Sequence, residues 1–266
     1  MLKAGVSTAC LYPQPTEEAL YDLALGGVTT VELFINTHAE LKRSFVAAMA
    51  DILHRFEVQC SSLHPFTSEI EPMMLFSNYE RRVGDFLEYC RNYFTTMQQL
   101  GATIFVLHGN KQLVGMDIDF YCERFGKLAA LGKSYGVTVA QENVARCTSR
   151  SLAFLQQMQQ RMGNEVKFVL DVKQAVRSKE DPMQMLQTLG RNIVHVHMSD
   201  HGEYGDCLPI GAGRFAVKTF LQTLSTVSPN CTVMLELYRS GFRTLQDLLH
   251  NYHILQRMIQ NCNKEE

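Results

Sequence analysis

Eight short runs rich in β-branched residues, each followed by a longer amphipathic stretch, limit what this chain can fold into more than any other feature. The runs are LKAGVST from Leu2, TTVELF from Thr29, EVQCSSL from Glu57, TIFVLH from Thr103, VTVAQE from Val137, VKFVLD from Val166, IVHVHM from Ile193 and TVMLEL from Thr232. Helical patterns lie between them, among them TEEALYDLAL, AELKRSFVAAMADILHRF and FLEYCRNYFTTMQQL, and TLQDLLHNYHILQRMIQ follows the last run. Glycines stand where helices should stop, at Gly26-Gly27, Gly101, Gly136, Gly163 and Gly190. Strands alternating with helices read as right-handed βαβ units around a parallel sheet. Eight such units predict an α/β fold, the closed (β/α)8 TIM barrel. The competing open doubly wound sheet lacks its G-x-G-x-x-G after the first run. The length of 266 residues suits one barrel domain spanning 1–266, and no low-complexity linker divides it.

Composition narrows the partners. A net charge of -2 offers no basic surplus, so no nucleic acid is expected. The opening MLKAGVSTACLYPQP has too short an apolar run for a signal peptide. No stretch approaches the roughly 20 apolar residues of a membrane span. The eight cysteines form no C-x-x-C pair and read as reduced thiols of a cytoplasmic protein.

In such a barrel the chemistry sits at the C-terminal ends of the strands. The fifth to eighth runs all end in an ionisable side chain: Glu142 in AQENV, Asp171 in VLDVKQ, His197 in HVHMSD and Glu236 in MLELY. Three carboxylates converging on one mouth repel each other unless a cation holds them. The pattern therefore predicts one divalent metal ion in an oxygen-rich site with one imidazole. Ligand hardness favours Mn²⁺, with Zn²⁺, Mg²⁺ or Co²⁺ as the other candidates. Taken singly, each of these residues reads equally well as a helix N-cap or a surface charge; their corresponding positions carry the prediction.

Other residues have two readings each. His64 in SSLHPF and His108 in VLHGN end the third and fourth runs. They line a substrate pocket, hold a second metal, or hydrogen-bond at the rim. His38 reads as structural. Alternation puts His195 on the same face as His197, about one layer deeper, in the packed interior or hydrogen-bonded behind the site. Asp200 orients the site or caps the turn, and His201 is a candidate substrate contact in a loop. Arg214, after GAG, and Arg239, before Ser240-Gly241, are phosphate-binding candidates or solvated charges. Neither commits the chain to a phosphorylated substrate.

Together these residues resemble the xylose isomerase-like TIM barrels, in the branch of sugar (phosphate) isomerases and epimerases that also includes endonuclease IV. The resemblance spans essentially the whole chain. It rests on the order and spacing of TTVELF, LHGN, QEN, LDVKQA, HVHMSD, GAGR and MLELY. In the family's ketose 3-epimerases one metal is held by Glu, Asp, His and Glu, at positions matching Glu142, Asp171, His197 and Glu236. The resemblance implies that Glu142 and Glu236 are also the acid/base catalysts. One removes a proton next to a carbonyl, a metal-stabilised enediolate forms, and the other returns a proton.

Three departures bear on the substrate. Gln174 stands where the family often has histidine, and glutamine cannot shuttle a proton near pH 7. Ala212 replaces the glutamate of a G-E-G loop. An arginine of the epimerases is absent, with His201 and Glu203 in its neighbourhood. The implied substrate contacts are His64, His108, Gln174, His201 and Arg214. The implied function is a metal-dependent isomerase or epimerase of a small sugar or sugar-like substrate. A dehydratase of a cyclic polyol ketone, an endonuclease IV-like metallo-phosphoesterase and a non-catalytic sugar-binding barrel are the alternatives. The third zinc site of endonuclease IV needs histidines where this chain has Gln174 and Leu208, and Asp206 alone cannot replace them. Characterised relatives are often homo-oligomers, an expectation that extends to this chain by resemblance.

Overall fold

A computed structural model describes residues 1–111 and 116–264. Each β-branched run forms a strand. In chain order these are β1 (Lys3–Ser7), β2 (Thr30–Ile35), β3 (Gln59–Pro65), β4 (Ile104–Leu107), β5 (Thr138–Glu142), β6 (Lys167–Asp171) and β7 (Ile193–Met198). A two-stranded antiparallel hairpin, β8 (Asp200–Gly202) and β9 (Gly205–Leu208), then precedes β10 (Thr232–Leu235). Parallel pairing in the order β1-β10-β7-β6-β5-β4-β3-β2 closes an eight-stranded barrel with flanking helices. This is the (β/α)8 TIM barrel.

The helices follow the amphipathic stretches, with instructive shifts. Thr16–Leu25 coincides with TEEALYDLAL. The stretch from Ala39 to Phe56 divides into a 3-10 turn, His38–Leu41, and a helix, Arg43–Arg55, because Lys42 is extended between them. Buried Glu40 fixes that break by accepting the Asn36 N–H at 2.7 Å and the Thr16 hydroxyl at 3.1 Å. Glu80–Leu100 begins six residues before FLEYC, since Val83 adds one more buried apolar position to the same face. It stops at Gly101, whose φ of 73° is left-handed and open to glycine at little cost. The hairpin β8–β9 has no counterpart among the runs, because DHGEYGDCL carries no apolar alternation. Among the described residues no helix is long and apolar enough to cross a membrane.

The apolar core lies outside the barrel rather than in it. Val31, Leu33, Leu63, Phe105, Leu107, Phe168, Leu170, Val196, Val233 and Leu235 pack against the helices in one large cluster. The alternate positions face inward and are largely polar: Glu32, Ser62, His64, Glu142, Asp171, His195, His197 and Thr232 are all buried. Inward apolar side chains are few, and Val106, Ala140 and Val169 form their own small cluster one step below the strand ends. TIM barrels more commonly fill this space with branched aliphatic residues.

Gly5 makes room in that lumen. A Cβ there would meet Met234 Sδ at 2.5 Å and the backbone oxygen of Thr30 at 2.6 Å. The methionine can move and the carbonyl cannot. Gly5→Ala is expected to destabilise the fold by about 1–3 kcal/mol, read as a lowered Tm.

Candidate metal centre

Four consecutive positions around the barrel rim bring Glu142, Asp171, His197 and Glu236 together. Asp171 and His197 are register partners, and His197 pairs with Met234, two residues before Glu236. Glu236 continues the ladder past β10 by donating its N–H to Met198 O at 3.1 Å. One donor atom from each of the four side chains lies within 4.8 Å of the others. His197 Nδ1 is the hub, 3.2 Å from Glu142 Oε1, 3.2 Å from Glu236 Oε2 and 3.8 Å from Asp171 Oδ2.

Asp171 serves two ends at once. Its Oδ1 accepts the Gln174 N–H at 2.9 Å and caps the helix Val172–Arg177. Its Oδ2 faces the cluster. Asn143 fixes the residue between β5 and β6, accepting the Asp171 N–H at 2.7 Å and donating to the Asp171 carbonyl at 3.0 Å.

Charge and burial are at odds here. Glu142 Oε2 and Asp171 Oδ2 are buried with no hydrogen-bond donor aligned on them. Burial opposes ionisation of Glu142, but His108, His197 and His64 outweigh it and hold the carboxyl well below the usual range. Burial pushes Asp171 up despite the ammonium of Lys173 nearby. His197 is raised well above its ordinary value, because the carboxylates of Glu32 and Glu236 overcome the burial cost of its charge. Hard oxygens around one imidazole, two of them without an aligned hydrogen bond, match the donor set of a divalent ion. Buried His, Glu and Asp groups in this barrel could hold a metal ion.

A second group shares Glu142. His108 Nε2 lies 2.9 Å from Glu142 Oε2 and 2.9 Å from His64 Nε2. His64 Nδ1 faces the Pro65 carbonyl at 3.2 Å, which suits an N–H on that side and a lone pair on Nε2. These three residues also meet at ligand spacing.

Below both lies Glu32, which sequence reasoning missed. Its Oε2 is 3.0 Å from His195 Nε2, 3.2 Å from His197 Nε2 and 2.9 Å from Ser62 Oγ. His195 Nδ1 reaches Thr232 Oγ1 at 2.5 Å. Burial lowers the pKa of His195 more than Glu32 raises it. His195 thus hydrogen-bonds behind the rim. His197 spans both layers, with Nε2 toward Glu32 and Nδ1 toward the three rim carboxylates. The signal for Glu32 was present: a glutamate between Val31 and Leu33 in a buried strand must face a polar lumen.

The rim opens into a cavity of about 340 Å³ lined by Phe34, His64, His108, Glu142, Arg146, Asp171, Lys173, Gln174, Arg177, Glu236 and Tyr238, among others. Gln174 Oε1 accepts the Ala145 N–H at 3.0 Å. Lys173, Arg146, Arg177 and Tyr238 were not expected from the sequence. Lys173 lies two residues past a strand-end aspartate, and only that placement marks it out.

His201 and Arg214 are not brought to this cavity. The hairpin carries His201 away, and its ring packs on Phe215 at 5.1 Å. Arg214 is exposed and pairs with Glu203 at 3.1 Å. Asp200 caps the turn, accepting N–H groups from His201, Gly211, Gly213 and Phe215 at 2.7–3.1 Å. Arg239 donates to the carbonyls of Phe242 and Arg243.

The chain matches the family described as xylose isomerase-like TIM barrel over residues 21–258. Among solved structures, a D-tagatose 3-epimerase-like protein superposes with a TM-score of 0.81 at 18% identity, over 99% of each chain. The probable 3-DHS dehydratase AsbF of Bacillus anthracis, involved in petrobactin synthesis, gives 0.76 at 13% identity, over 95% of this chain and 98% of that one. The IolI protein with a bound zinc atom gives 0.73 at 16%, over 98% and 95%. At these identities the likeness is one of fold.

The contact of Glu32 with His197 has a measurable consequence. If the cluster binds a divalent ion, Glu32→Gln is expected to weaken that binding by about 10–100-fold in isothermal titration, with unchanged far-UV circular dichroism. Unaltered affinity would show that Glu32 gives His197 no support.

Proposed function

The chain belongs to the xylose isomerase-like TIM-barrel family, and on that premise we propose that it is a divalent-metal-dependent isomerase or epimerase of a sugar or sugar-like hydroxyketone. The observation that carries this reading is the convergence of Glu142, Asp171, His197 and Glu236 on one point at the mouth of the barrel. These four would hold the ion, and their oxygen-rich set favours Mn²⁺ over Zn²⁺, Mg²⁺ or Co²⁺. The zinc atom in the IolI protein supports a metal in a barrel of this shape. When bound, such an ion would supply the positive charge that polarises a substrate carbonyl.

The chain's own side chains do the proton work. Glu142 and Glu236 approach His197 Nδ1 from different strands, each at 3.2 Å. One takes the proton from the carbon beside the carbonyl, and the other returns one to the opposite face. Gln174, with its oxygen on the Ala145 N–H, keeps its amide nitrogen for a substrate hydroxyl. His64 and His108 line the same cavity as hydrogen-bonding partners of the substrate, or with Glu142 as a second metal site. Proton removal followed by loss of a hydroxyl would instead make the protein a dehydratase of a cyclic polyol ketone, and the likeness to AsbF keeps that reading open.

A three-metal phosphoesterase is disfavoured. Asp206 is held by Arg177 at 2.5 and 3.0 Å, and Gln174 by Ala145, so neither is free to complete a third metal site. The eight cysteines form no disulfide, which accords with a reducing, cytoplasmic location.

Protein loaded with Mn²⁺ is expected to retain about one ion per chain, measured by elemental analysis. It should exchange carbon-bound hydrogen of a ketose or inosose with D2O, read by NMR after chelation of the ion. Glu142→Gln and Glu236→Gln should each slow that exchange by about 10²–10⁴-fold with the fold intact. Protein that binds no divalent ion defeats the reading, and exchange retained by a variant removes that glutamate from the proton transfer.

A further inference from the structure

We propose that the substrate of this cavity carries an acidic group, a carboxylate or a phosphate, and that Lys173 is its cationic anchor. This rests on the metal-dependent reading above and extends it to substrate class. Lys173 is 4% exposed, yet it lines the cavity. Its Nζ lies 3.3 Å from Asp171 Oδ2 and 3.1 Å from Glu236 Oε2. Those are the oxygens that Asp171 and Glu236 turn toward His197 Nδ1. An ion held by the four rim residues would compete with Lys173 for the carboxylates of Asp171 and Glu236. The ammonium then shares its partners with a dication, and a buried cation needs acceptors of its own. The remaining source of one is the contents of the cavity.

The surroundings of Lys173 add to the case. Its Nζ sits 4.9 Å above the Tyr238 ring and the Arg177 guanidinium 5.1 Å from it, so the lysine is held against the wall instead of swinging into solvent. Arg177 is satisfied by Asp206 and the Tyr238 hydroxyl. Arg146 is not satisfied in this way: it donates to the Ser68 hydroxyl at 3.3 Å and has no carboxylate within ion-pair distance among the described residues. With Arg177 neutralised, a divalent ion, Lys173 and Arg146 would face the carboxylates of Glu142, Asp171 and Glu236 at the rim and that of Glu32 below them. Lys173 and Arg146 are then the cations of the cavity with no carboxylate to themselves, and they would attract an anion. A neutral sugar would bring them no anionic partner, whereas Gln174, His64 and His108 already provide for hydroxyls. Arg146, exposed on the rim, would reach the outer oxygens of a bulkier acid such as a phosphate.

The test uses the full chain loaded with Mn²⁺ and two matched pairs of ligands: dihydroxyacetone with dihydroxyacetone phosphate, and erythritol with erythronate. Isothermal titration should show the acidic member of at least one pair binding on the order of tenfold more tightly than its neutral partner. The pair with the larger ratio identifies phosphate or carboxylate as the natural group. Lys173→Met and Lys173→Gln should bring the ratio close to one without weakening Mn²⁺ binding, and Lys173→Arg should preserve it. Using two neutral variants protects the test should one of them fail to fold. Equal binding of neutral and acidic ligands would overturn the proposal. So would a preference that survives in both neutral variants, or a loss of Mn²⁺ binding in them, which would make Lys173 a support of the metal site. Protein that never binds Mn²⁺ defeats the underlying metal reading, whereas protein that binds Mn²⁺ with no acid preference defeats only this inference.

Discussion

The carboxylate of Glu32 sets the terms for everything above it. It is fully buried, and it reaches across the barrel from β2 to two imidazoles on β7. Such a group is tolerated only when the opposite charge or donors surround it. Burial works against its ionisation, yet the charge of His197 and the hydrogen bonds of both histidines hold its pKa well below the ordinary value. The inner face of the barrel therefore has to be polar. Aliphatic packing moves to the outer face, where strands meet helices. Because one ring nitrogen of His197 is committed downward, the other points up at the rim carboxylates.

Much of this architecture could be read from the sequence, for a mechanical reason. Runs such as VKFVLD and TVMLEL are apolar at every outward position, a pattern that suits strands covered by helices on that face. Once eight of them alternate with helices, the barrel geometry aligns their C-terminal ends, and the grouping of Glu142, Asp171, His197 and Glu236 follows from position alone. His195 could be placed behind the rim by strand period. The same period turns Glu32 into the lumen, but its pairing with His195 and His197 joins strands far apart in the chain, and no local pattern encodes which residues face each other there.

Adjacency in sequence misled in the opposite direction. His201 stands four residues after His197, and Arg214 belongs to a glycine loop of the kind that often borders a site. Both are drawn off by the β8–β9 hairpin and the turn that Asp200 organises through four backbone N–H groups. Two of the basic residues that do line the cavity, Lys173 and Arg177, lie on one face of a six-residue helix. That helix is too short to leave an amphipathic signature, so nothing in the sequence pattern pointed its side chains toward the mouth.

The two oxygens of Asp171 divide the labour of this end of the barrel. One starts a helix and the other looks into the cluster. Any change of side chain at this position is judged twice, once by the backbone amides that need a cap and once by the chemistry at the mouth. The helix it caps carries Lys173, Gln174 and Arg177, so the orientation of the cavity wall is tied to the orientation of the rim. A shift in how this carboxylate sits would move both together. That linkage holds the wall and the rim in register through a single side chain.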